Sequence, residues 1–175
     1  MRIPRNFRQT LGCTAIISVM LFPADAQQSV TELQAKFDRE NDSVRKAKLL
    51  AKLGDVEFEE SRRAGKEGDN NTVDATMEKY RDNVRAAFEA LKKQHPDAEK
   101  HSNGYRQMEI NVKAGIREVE DSMLAAPAPY KPPLQIVRQD LITMDDEMIR
   151  LLFPHRPADK PVPPPAEKQP MEKQL

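Results

Sequence analysis

The stretch VDATMEKYRDNVRAAFEAL, residues 73–91, decides the fold class. Its apolar residues Val73, Met77, Tyr80, Val84, Phe88 and Leu91 step by four, three, four, four and three. That rhythm keeps one apolar face turned the same way for about five helical turns. Lys92-Lys93 follow, where a positive charge complements the carbonyl end of a helix. The spacing predicts a long amphipathic helix.

Working outward toward the C-terminus, His95-Pro96-Asp97 reads as a turn, with Pro96 suited to the first position of the next helix. That helix carries Tyr105, Met108, Val112, Ile116, Val119 and Met123 at helical spacing. The short connection implies that the two helices fold back on each other as a long antiparallel hairpin. APAPYKPP, residues 126–133, reads as a stiff proline-rich linker. A last amphipathic helix is expected over residues 134–153, with Leu134, Val137, Leu141, Met144, Met148 and Leu151 as its stripe. Eight residues in polyproline geometry span about 25 Å, too little to return along a 28-residue helix roughly 42 Å long. The last helix is therefore expected to turn back against its neighbour or to project as an arm.

Toward the N-terminus, Ser29-Val30-Thr31-Glu32 has the form of a capping box, and Val30, Leu33 and Phe37 follow at helical spacing. Residues 40–43 hold no apolar residue and offer N-cap types, so a break is expected there. Val44, Ala47, Leu50 and Leu53 resume the stripe. Gly54-Asp55 is a possible interruption before VEFEESRRAG, and GKEGDNN, residues 65–71, reads as a turn. No run of alternating apolar and polar residues suggests a strand. The expected fold is all-α: an elongated helical bundle built on a long antiparallel hairpin.

Residues 1–26 read as a cleavable signal peptide rather than as structure. Arg2, Arg5 and Arg8 precede the apolar run LGCTAIISVMLF, and Ala24-Asp25-Ala26 has the form of a cleavage site. Twelve residues are fewer than the roughly 20 needed to cross a bilayer as a helix, so no stable membrane span is expected after cleavage. The reading places the protein outside the cytoplasm, in a periplasm or the extracellular space. Residues 27–125 then form the helical domain, and residues 154–175, with seven prolines, form a tail expected to be disordered. Two P-x-x-P spacings in that tail suit polyproline recognition, although an extended, solvated tether accounts for the composition.

Composition excludes more than it identifies. The chain has 28 basic and 28 acidic residues; three arginines and one aspartate lie in residues 1–26, which leaves a net charge of −2. Interspersed charges near neutrality provide no basic face for nucleic acid. Cys13 is the sole cysteine, so the chain beyond residue 26 has no disulfide framework. Charged residues make up 32% of the chain and tryptophan is absent, which suits solvent-washed helices.

Three chemical motifs can be weighed. Ser43-Val44-Arg45-Lys46 has the S-x-x-K spacing of penicillin-binding serine enzymes, and Ser102-Asn103-Gly104 and Lys113-Ala114-Gly115 follow in order. Those enzymes need a mixed fold with the last motif on a strand, whereas Lys113 lies in a helical pattern. His95 and His101 are six residues apart and do not share a helix face as an i, i+4 pair does; His95, Asp97, Glu99 and His101 could gather around a cation, but polar turn residues look the same. Asp69-Asn70-Asn71 opens like a calcium loop, but Val73 stands where an oxygen ligand is required. Phe88, Leu91 and Pro96 match half of a tetratricopeptide unit whose other half is missing upstream.

These readings converge on an exported, non-enzymatic helical protein acting as a structural or protein-interaction module, without cofactor or metal. The stripe Leu134, Val137, Leu141, Met144, Met148 and Leu151 is the candidate face for a protein partner or a second copy of the chain. The competing expectation is that it completes an intramolecular bundle. A chaperone-like alternative rests on Met77, Met108, Met123, Met144 and Met148, since methionine stripes can line adaptable surfaces for apolar clients. A cell-wall-directed enzyme using Ser43 and Lys46 is the remote alternative.

Overall fold

The computed structural model describes the backbone of residues 24–154 and the side chains of residues 30–154. The described residues form five α-helices and no strand: α1 (Ala24–Arg39), α2 (Ser43–Glu67), α3 (Asn70–Gln94), α4 (Ser102–Ala125) and α5 (Lys131–Leu152). A short 3₁₀ turn, Ala128–Tyr130, precedes α5. The fold is all-α, a helical bundle. Most of the expected signal peptide, including Cys13, lies outside the described residues, as do residues 155–175 of the proline-rich tail, which hold the second P-x-x-P spacing and all but Pro154 of the first.

Local chemistry sets the ends of the helices. Asp42 caps α2, its carboxylate accepting the Arg45 N–H at 2.8 Å. Helix α2 ends at Gly68, whose φ of 79° is the left-handed conformation that glycine adopts without a Cβ clash. One residue later Asp69 caps α3, accepting the Thr72 N–H at 3.1 Å and the Thr72 hydroxyl at 2.6 Å. The turn between two 25-residue helices therefore occupies only Gly68 and Asp69, less than the expected residues 65–71. So short a link forces α2 and α3 into an antiparallel hairpin.

The structure revises four other local expectations. Helix α1 runs through Ser29–Glu32, so that segment is helix interior and not a capping box. Gly54-Asp55 does not interrupt α2; Gly54 instead lies against the Tyr80 ring. Pro96 does not open α4, which starts at Ser102 after a separate turn over residues 97–101. Finally, the linker is shorter than residues 126–133, because Pro132 and Pro133 stand in the first turn of α5, where a missing N–H costs nothing.

Helices α2 to α5 enclose one core, and α1 lies mainly along α2. Helix α3 packs against α2, α4 and α5, and all six residues of its apolar face are buried. Helix α4 packs on α3 as expected, but α3 pairs more extensively with α2 and α4 with α5. The α4–α5 pair is antiparallel: Arg138 bonds Glu120 at 2.7 Å, and Lys113 faces Asp145 further along. The last helix therefore turns back on its neighbour.

The tightest point of the core is Tyr80, which is 1% exposed. Its ring passes between Gly54 of α2 and Gly115 of α4 and meets Phe58 at a centroid distance of 4.6 Å. A Cβ on Gly54 would stand 2.9 Å from Tyr80 Cε2, and one on Gly115 would overlap Cε1. The phenol donates to the Asn111 carbonyl at 2.6 Å, and Asn111 Nδ2 donates to the Ala47 carbonyl at 2.9 Å. Two side chains thus tie α3 to α4 and α4 to α2. Gly115→Ala should lower stability by about 2 kcal/mol, the usual scale of core over-packing. Tyr80→Phe, which removes only the hydroxyl, should cost about 1 kcal/mol. Equilibrium urea unfolding measures both, and a Gly115→Ala protein as stable as wild type would refute the close-packing account.

Candidate functional site

The expected partner face is inside the molecule. Leu134, Val137, Leu141, Met144 and Met148 are buried against α3 and α4, and Leu151 is half-buried against the same core. This corrects their assignment as a docking surface: α5 completes the bundle and its stripe is covered by α3 and α4. The methionines follow the same logic. Met77, Met108, Met144 and Met148 are buried and Met123 packs on the core, so none of the five forms an open apolar surface.

The S-x-x-K pair is not assembled. Ser43 is fully buried, its N–H donates to Gln94 Oε1 at 3.0 Å, and its hydroxyl has no hydrogen-bond partner. The Lys46 ammonium sits 4.7 Å above the centre of the Phe37 ring. Lys113 and Gly115 lie within α4, and Lys113 pairs with Glu109. Among the described residues no group of three or more His, Cys, Asp or Glu side chains is arranged to hold a metal ion. Asp69 is used as a helix cap.

One polar cluster does form in the core, where α1, α2 and α3 meet. Glu57 of α2 is 1% exposed. Its Oε1 accepts Asn83 Nδ2 at 3.2 Å and lies 3.4 Å from the Lys79 ammonium, which reaches in from the surface. Its Oε2 is buried with no partner. Asn83 also exchanges two hydrogen bonds of 3.1 Å with Gln34 of α1. The chain Glu57–Asn83–Gln34 is thus a polar link between α1 and the bundle, beside the apolar anchor Phe37.

Burial pushes the Glu57 carboxyl up from 4.5 to about 7, with Lys79 and Asn83 opposing the shift and Glu60 adding to it. Desolvation outweighs the attraction because the one nearby cation remains partly in water, where its field is screened. The site can hold a proton near neutral pH. Glu57 is too enclosed to meet a substrate in this conformation, so the group acts on the fold and not on a ligand. Tyr80, beside it, has its hydroxyl pushed well above the ordinary range, chiefly by burial.

Sequence reasoning missed this cluster, yet a signal exists. Glu57 is four residues after Leu53 and four before Ser61, both buried, so it stands on the core stripe of α2. The run VEFEES hides it, because three neighbouring glutamates look alike and only one faces inward. No protein-family model, no curated protein and no solved structure matches the chain.

The raised carboxyl has a definite pH sign. Between about 4.5 and 7 the folded chain holds a proton at Glu57 that the unfolded chain has released, so stability falls as pH rises through this window. The full effect is on the order of 3 kcal/mol, as 1.36 kcal/mol corresponds to one pH unit. Glu57→Gln should be more stable than wild type at pH 8 and close to it at pH 4.5. Urea unfolding of both proteins at the two pH values isolates Glu57 from the other carboxylates. An equal pH response in the two proteins would refute the assignment.

Proposed function

We propose that the chain is an exported, non-enzymatic helical protein that acts as an interaction module through the outside of its α4–α5 hairpin. One observation carries this reading. The large apolar side chains most exposed among the described residues, Ile110, Leu124, Ile136 and Phe153, all belong to α4, α5 or the residue that ends α5. Leu124 is 81% exposed. None lies on α1, α2 or α3, whose outer surfaces carry the ordinary charged mixture. Ile110 and Leu124 are fourteen residues apart on α4, which returns them to nearly the same face.

Single exposed apolar residues are normal on protein surfaces, and what supports the reading is their confinement to one helical hairpin. The core does not need these side chains. Export follows from the charged start, short apolar run and A-x-A form of residues 1–26. No helix among the described residues is long and apolar enough to cross a membrane.

Leu124→Glu combined with Ile136→Glu tests the reading without disturbing the core, since both residues point outward. Light scattering after size-exclusion chromatography reads self-association. Photo-crosslinking from Ile110 in producing cells reads a different partner. The wild-type chain should show one of the two, and the double variant should lose it while keeping its unfolding midpoint. A monomeric wild-type chain with the same crosslinks as the double variant would overturn the proposal.

A further inference from the structure

We propose that His95 and His101 form a two-imidazole site for a divalent late first-row transition metal ion, copper(II) foremost. Six residues apart on one helix, the two would point in different directions. The chain between α3 and α4 is not one helix. His95 ends α3, with its N–H on the Leu91 carbonyl at 2.8 Å, and the His101 N–H closes a turn onto the Asp97 carbonyl at 3.2 Å. That reversal brings the two rings to a centroid distance of 4.5 Å with 37° between their planes.

The backbone under the rings is held from three sides. The Tyr105 hydroxyl donates to the His95 carbonyl at 2.8 Å, the Asp97 side chain accepts the Lys100 N–H at 3.2 Å, and Ala98 is buried beneath the turn. Both rings are at or near the surface, and neither makes a hydrogen bond or ion pair among the described residues. Their nitrogens are therefore available. His101 is the residue that caps α4, yet its side chain takes no part in capping.

The spacing suits a shared ion. A metal–imidazole bond of about 2.0 Å puts the ring centre roughly 3.2 Å from the metal, so two ligands at a right angle have centres about 4.5 Å apart. Right-angled nitrogen ligands are the arrangement of tetragonal copper(II) and nickel(II), and copper(II) binds nitrogen sites most tightly of the divalent series. Two carboxylates in electrostatic range are Asp42, near His95, and Asp97, near His101. Asp42 is committed to the Arg45 N–H and Asp97 to Lys100 at 2.9 Å, so they supply counter-charge and not ligands. Water completes the coordination shell. Two fixed donors gain affinity over one because the second bond forms at high effective concentration.

Titration calorimetry of the full chain with copper(II) chloride, and electron paramagnetic resonance of the product, test the site. The expected result is saturable one-to-one binding with hyperfine coupling to two imidazole nitrogens. His95→Ala and His101→Ala should each weaken binding about tenfold or more and remove one nitrogen; His155→Ala should do neither. In wild-type protein, substoichiometric copper(II) should broaden the imidazole resonances of His95 and His101 first, a readout that needs no variant to fold. Binding that does not saturate, that is unchanged in His95→Ala and His101→Ala, or that broadens only His155 would overturn the proposal and leave a stacked ring pair.

Discussion

The arrangement of the helices depends on one close approach, that of the Tyr80 ring between Gly54 and Gly115. A tyrosine buried this deeply contributes several kcal/mol relative to alanine, on the scale of large aromatic truncations. It does so only if the helices on either side present no Cβ at that level. Gly54 and Gly115 meet the requirement from α2 and α4, so a single aromatic on α3 sets the distance to both. The phenol is satisfied at the same point by the Asn111 carbonyl, which removes the penalty for burying its hydroxyl. Position, spacing and polar satisfaction coincide in one side chain.

The charged surface adds register, not the bulk of the stability. Arg62–Glu118, Arg85–Asp140, Lys92–Glu147 and Arg138–Glu120 each link two helices. Each pair keeps at least one partner well exposed to solvent, and such pairs are worth at most about 1 kcal/mol each. They matter because together they join α2 to α4, α3 to α5 at two levels, and α4 to α5, so a helix slipped by one turn would lose its pairs. Gln94 does similar work at one end of the bundle: it accepts the Ser43 N–H and donates to the Asn41 carbonyl, pinning the α1–α2 turn to the end of α3.

What was legible in the sequence followed the periodicity. The face Val73, Met77, Tyr80, Val84, Phe88 and Leu91 is buried throughout, and the α5 stripe is a true apolar stripe. Periodicity shows which side of a helix avoids water, but not what covers it, and so the α5 stripe could be read as a docking face as readily as a core face. Its covering became visible only with the shortened link at residues 126–130, since Pro132 and Pro133 begin a helix that the composition of the segment conceals. Turn lengths were misjudged for a related reason. Gly65 looks like Gly68 in sequence, yet only Gly68 takes the positive φ that ends a helix.

The sites were harder to read because their geometry belongs to no single helix. Glu57 is indistinguishable from Glu59 and Glu60 until α1 and α3 close over it, and its link to Gln34 crosses two helix interfaces. His95 and His101 look separated on any helical wheel, and their contact arises because Asp97 and Tyr105 hold the intervening turn out of helical register. The two sites differ in what they can do. The carboxyl is sealed in the core and can only exchange a proton with the fold. The imidazoles stand at or near the surface, His101 exposed and His95 half-buried, and neither is tied by a hydrogen bond among the described residues. The proposed ion site thus lies on the turn between α3 and α4, and the buried carboxyl at the junction of α1, α2 and α3.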